Sequence, residues 1–122
     1  WMHEKKADYT NTFCNLMDLE PDENHLYNEK SFLDWKVRWK NRISKGNYSP
    51  EKCKKLMRDN NPLVIPRNHK IEDALEAAEN NNLKPIKKIL EILQKPYTEQ
   101  MEIRDFQLPS KSNKEYQTYC GT

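Results

Sequence analysis

Apolar residues recur at intervals of three and four along most of this 122-residue chain, a period that fits amphipathic helices rather than strands. The clearest run is Phe32, Trp35, Trp39 and Ile43, which sets large rings along one stripe and predicts a helix near 31–45. Ser31 and Asp34 stand at capping-box spacing at its start, and Gly46 suits the left-handed residue that closes a helix. Four further helices follow from the same pattern. One is expected near 11–19, capped by Thr10 or Asn11, with Phe13, Leu16 and Met17 on one face and Glu20-Pro21-Asp22 as its stop. Another is expected near 50–59, opened by Ser49 and Pro50, with Cys53, Leu56 and Met57 on one side.

The longest unbroken apolar stretch, Leu63-Val64-Ile65, lies between Pro62 and Pro66, where two amide donors are missing and the preceding residues are pushed toward extended conformations. It is expected to cross the core as an irregular, strand-like piece. Asn68 then caps a helix near 69–80 whose Ile71, Ala74, Leu75 and Ala78 form a narrow face. After Asn80-Asn81-Asn82, a helix near 84–95 carries Ile86, Ile89, Leu90 and Leu93 and pairs with its predecessor as a hairpin. Residues 96–122 show anchors without period (Tyr97, Phe106, Leu108, Tyr116, Tyr119), which predicts an irregular tail. The expectation is an all-α fold of about five helices in one domain, 1–122.

Composition narrows the function. Two glycines in the whole chain exclude a glycine-rich phosphate cradle, and a net charge of +2 is too small for the broad basic field of non-specific nucleic-acid binding. Three apolar residues in a row fall far short of the roughly 20 that span a bilayer, so no membrane segment is expected. An apolar residue standing first, Trp1, without a secretory pattern behind it, reads as a cut through a longer chain. Three cysteines, Cys14, Cys53 and Cys120, are odd in number and far apart, which fits a reducing compartment.

No catalytic or metal constellation emerges. His3, His25 and His69 form no ligand pair with each other or with the cysteines, and Glu72, Asp73, Glu76 and Glu79 read as the solvated face of a helix. Cys14 and Cys53 fall on apolar faces, where a free cysteine acts as a small hydrophobe. Trp35 and Trp39 with the interleaved Lys36, Arg38, Lys40, Arg42 and Lys45 could serve nucleic acid, but the rings sit at core spacing and the charges opposite, as in a core stripe with a solvated back. Cys120, the third residue from the end and beside Gly121, is open to two readings: an inert exposed thiol, or one that reaches a partner or is oxidised.

Asp8-Tyr9-Thr10-Asn11-Thr12-Phe13, Asn61-Pro62-Leu63-Val64-Ile65-Pro66-Arg67-Asn68 and Pro96-Tyr97-Thr98-Glu99-Gln100 form a set. With Trp35, Trp39, the 72–79 helix and the cysteine near the terminus, their order and spacing across nearly the whole chain resemble the C-terminal part of the selenoprotein O family. The resemblance implies a pseudokinase with a protein-kinase-like core, absent from this chain, that transfers AMP from ATP to Ser, Thr or Tyr hydroxyls of proteins using magnesium or manganese. On that reading the chain is an accessory helical C-terminal region, inactive alone, whose partners are the missing core in cis and the protein substrates of the whole enzyme. Its compartment would be the bacterial cytoplasm or the mitochondrion. The family's nucleotide and metal residues belong to the core, so no catalytic residue, metal ligand or bound cofactor is expected here.

Cys120 stands at the family's C-terminal selenocysteine or cysteine position. The place three residues earlier, a cysteine in many members, is Gln117 here. A regulatory disulfide would therefore have to reach a cysteine outside this chain. Arg67 and Asn68 match a family motif and are read as structural: an arginine after a proline-bounded segment and beside a helix cap bonds carbonyls and fixes the turn. The rival from another class is an independent helical protein-interaction module, docking through the Trp35 and Trp39 stripe or the tail.

Overall fold

A computed structural model describes residues 1–19 and 25–110, and all regular structure among them is helical. The elements are α1 (Met2–Lys5), α2 (Tyr9–Leu16), a 3-10 turn (His25–Asn28), α3 (Lys30–Ser44), α4 (Pro50–Asn60), α5 (Asn68–Glu79), α6 (Lys84–Leu93) and α7 (Arg104–Gln107).

Helix α2 begins earlier than the apolar pattern suggests. Asp8, not Thr10 or Asn11, is its N-cap, and its carboxylate accepts from the Asn11 amide at 2.8 Å. Asn11 is unavailable as a cap because its side chain is fully buried and bonded elsewhere. The helix also ends before the expected stop at Glu20-Pro21-Asp22, which lies outside the described residues. Asp18 takes φ 59°, its amide bonds the Asn15 carbonyl, and the Leu19 amide bonds that of Cys14. The same closure recurs at Lys6 (φ 50°) after α1 and at Asn81 (φ 62°) after α5, so three helices end in Schellman turns without using glycine.

Gly46 behaves differently from expectation, since it does not take a positive φ. Its amide bonds the Ile43 carbonyl at 2.8 Å, and a Cβ at this position would stand 3.1 Å from that oxygen. Close approach, rather than a left-handed backbone, is what favours glycine there.

The Ser31 and Asp34 capping box does not form. Helix α3 already starts at Lys30, which places Ser31 inside the first turn, and the N-cap Glu29 turns its carboxylate to Lys5 at 2.8 Å. The ring stripe of α3 is only partly a core stripe. Phe32 is its one buried residue, while Trp35 is 39% exposed and Val37 57%. Lys36 ties α3 to α2 by donating to the backbone and side-chain oxygens of Asn15, both at 3.1 Å.

Helix α4 opens at Ser49, whose hydroxyl accepts from the Lys52 amide, with Pro50 as its first residue. Leu56 faces outward, and Met57 bridges two apolar clusters. The larger cluster joins Cys14, Met17, Leu63, Val64, Ile92 and Ile103; the smaller joins Leu16, Tyr27 and Phe32 with Trp1, Phe13 and Trp39 beside them. As its bounding prolines imply, the segment 62–66 runs without regular structure through the first cluster, with Leu63 and Val64 buried.

Helices α5 and α6 pack on one another as a hairpin. Asn68 does not cap α5: it is an exposed first residue, and Arg67 occupies the cap position with no side-chain cap bond. Leu75 and Leu90, expected inside, are half exposed, while Ile89, as expected, and Ile92 are buried on α6. Past Pro96 the chain is ordered and carries a short helix that the aperiodic pattern did not predict. The Pro96 carbonyl accepts from the Leu63 amide at 2.7 Å, Gln100 donates to the Ile92 and Lys95 carbonyls, and α7 follows with Ile103 and Gln107 buried. Tyr97 is half exposed, while Tyr116 and Tyr119 lie outside the described residues.

Candidate functional site

The most concentrated polar arrangement is built around Arg67, which leaves the apolar segment at the start of α5 and points back across the molecule. Its Nη1 donates to Asp8 Oδ2 at 2.6 Å and its Nη2 to Asp8 Oδ1 at 2.9 Å, a bidentate pair with side chains only 10% and 17% exposed. Nη2 also donates to the Gln107 carbonyl at 2.7 Å. Arg67 Nε is sealed from solvent and has no hydrogen-bond partner among the described residues.

Asn11 Nδ2 donates to the same Gln107 carbonyl at 3.1 Å, and Gln107 Nε2 donates to the Leu63 carbonyl at 2.8 Å. Thr12 extends the network, its hydroxyl 2.6 Å from the Asp8 carbonyl and 3.2 Å from the Tyr27 hydroxyl. One guanidinium thus locks the start of α2, the entry to α5 and the end of α7. Lys70 and Asp105, 2.6 Å apart, add a second tie between α5 and α7.

Burial pushes the Asp8 carboxyl up, but the Arg67 hydrogen bonds, the Asn11 amide and the Arg67 charge together outweigh it and hold the group below its ordinary 3.8. The sign of the linkage follows: a carboxyl depressed in the folded state lends stability above its unfolded value and loses it as acid titrates the folded group. The contribution should be complete above about pH 5 and decline through and below pH 3.8. Urea midpoints measured between neutral pH and pH 3 should fall more in the parent than in an Arg67→Met variant; equal falls would mean the pair is not the acid-sensitive element.

The clamp is suited to holding elements in place rather than to chemistry. Nearby Cys14 is fully buried, and burial, reinforced by the Asp8 charge and eased by Arg67, pushes its thiol up to about 11. It is protonated at neutral pH and is no nucleophile. Cys53 is partly buried, and Cys120 lies outside the described residues. Glu72, Asp73, Glu76 and Glu79 are all exposed on α5. Among the described residues no group of three or more His, Cys, Asp or Glu could hold a metal ion, and no helix is long and apolar enough to cross a membrane.

Of the residues singled out from sequence, Arg67 lies at the centre of the clamp and Asn68 does not join it. Asp8, Asn11 and Gln107 were missed as site residues. The first two had a usable sign, since Asp8 stands three residues before Asn11 at capping distance in a segment already notable for its resemblance. The three short segments of that resemblance meet in space: the first supplies Asp8 and Asn11, the second Leu63 and Arg67, and the third the Pro96 carbonyl.

Fold and clamp together define an all-helical module stitched by a largely buried, bidentate ion pair. The family model described as protein adenylyltransferase SelO matches residues 1–94, and the chain belongs to that family. It is 42% identical to a protein nucleotidyltransferase YdiU of Pelagibacter ubique, with all of this chain and 26% of the relative covered. It is 42% identical to the YdiU protein of Syntrophotalea carbinolica and 38% identical to that of Clostridium perfringens, covering 99% of this chain and 25% of the relative in both cases. The chain therefore spans about a quarter of the length of the curated relatives it matches. No solved structure matches it.

Proposed function

We propose that this chain is the helical C-terminal region of a protein adenylyltransferase, an enzyme that moves AMP from ATP to Ser, Thr or Tyr hydroxyls of other proteins. The observation that carries this reading is the family match, to relatives named nucleotidyltransferases of which the chain spans only a quarter. Catalysis belongs to a kinase-like core elsewhere in the same polypeptide, where ATP and magnesium or manganese would bind. The described residues of this chain do not supply a donor set for such a metal, and no chemical step is assigned to them.

The chain's own part is support. The Asp8–Arg67 clamp fixes α2, α5 and α7 as one unit that the core can rest on. Cys120 serves as a redox-sensitive position, its thiol and a second thiol outside this chain joining as a disulfide when an oxidant removes two electrons and two protons.

The test compares two proteins. With labelled ATP, a divalent metal and an acceptor protein, the full-length polypeptide should transfer label and residues 1–122 alone should not. Transfer by the short chain, or none by the long one, overturns the reading. In the same assay Cys120→Ser should erase any activity difference between oxidised and reduced enzyme, and a difference that persists removes the thiol from the mechanism.

A further inference from the structure

Helix α3 is the longest in the molecule, yet of its fifteen residues only Phe32 is buried. Leu33, Trp35 and Val37 are 44%, 39% and 57% exposed. Most helical stability comes from packing an apolar face, and one buried ring does little against the ordering of fifteen residues. The surface beside it is concave. A groove of about 620 Å³ is lined by Trp1, Phe13, Leu16, Phe32, Trp35 and Arg38, among others. Its rings form a ladder, with Trp1 4.8 Å from Phe32 and Phe32 6.1 Å from Trp35 between centroids.

We infer that this groove seats the part of the same polypeptide that precedes Trp1, whose apolar side chains close over Trp35. The inference rests on the reading that the chain belongs to a longer adenylyltransferase, and it adds which face meets the rest. Three observations select this occupant. The relatives extend to about four times the span of this chain, so a large covalently attached body is available. Trp1 is itself a wall of the groove, so in any polypeptide that continues upstream the preceding residues start from its edge. A tethered segment then competes at high effective concentration against any separate molecule. Finally, the lining is largely apolar with a rim of both signs, Arg38 against Glu4, which matches a protein interface and not a phosphate backbone.

The experiment places the photo-reactive residue p-benzoylphenylalanine at position 35 of the full-length protein, an exposed site that tolerates a large aromatic side chain. After irradiation at low protein concentration, the products are separated on a denaturing gel and mapped by mass spectrometry. The expected product has monomer mass and joins position 35 to a residue upstream of Trp1. A dimer-mass product, a link to nucleic acid or another protein, links confined to residues 1–122, or no link at all would each overturn the inference. The same preparation is assayed for label transfer. An active enzyme without the upstream link defeats the groove alone, and an upstream link in a protein that transfers no AMP defeats the enzymatic reading alone.

Discussion

Replacing Arg67 with methionine is expected to destabilise the folded chain by about 2–3 kcal/mol, less than for a fully buried pair because both side chains keep some contact with solvent. The loss is large because of what stays behind. Asp8, 17% exposed, would keep a carboxylate with no countercharge, and the Gln107 carbonyl would lose its 2.7 Å donor. Methionine fills much of the same volume, so the effect reports charge and hydrogen bonding rather than a cavity. Urea denaturation at neutral pH, followed by helical circular dichroism, measures it. Adding Asp8→Asn to the Arg67→Met background should recover part of the loss, because the orphaned charge is removed while the Asn11 amide keeps an acceptor. A loss below about 1 kcal/mol, the value of a solvated surface pair, would show that the clamp does not hold the fold.

The second large effect is expected from Phe32→Ala, at about 3–5 kcal/mol. Phe32 is 2% exposed and is the one buried residue by which α3 attaches to the rest. Its ring lies 5.3 Å from Tyr27, 4.8 Å from Trp1 and 6.1 Å from Trp35, so truncation opens a hole that rigid neighbours cannot close. The loss should be local in character: Trp emission should shift toward the solvent-exposed value while α5 and α6 stay protected in hydrogen exchange. Trp-dominated fluorescence unchanged from the parent would mean that the ladder is held by something other than Phe32.

Both effects sit where one-dimensional reading had least purchase. Phe32 was visible as part of a stripe with helical period, but the stripe does not say how much of itself is covered, and Trp35 turned out half open. Arg67 could be marked as structural from its place after Pro66, but its partners lie 59 and 40 positions away in sequence. The local pattern offers Asp8 as a helix cap but does not join it to Arg67, and nothing in it points to Gln107, because a buried polar residue looks the same in sequence as an exposed one. Gln107 also lies on α7, a four-residue helix too short for any period to appear.

Local rules worked where the cause was local. Ser49 and Pro50 started α4, the proline-bounded Leu63 and Val64 crossed the core, and the hairpin of α5 and α6 formed around its asparagine turn. They failed where a distant group competed for the same atoms: the Asn11 side chain bonds the Gln107 carbonyl, and Asp8 caps α2 in its place. By itself, then, the order of residues determined the helical class, the main breaks between helices and the family to which the chain belongs, since these depend on neighbours a few positions apart. Which polar groups became buried partners, and which ring was left uncovered, was decided only when the segments met, because desolvation and pairing are properties of the assembled interior.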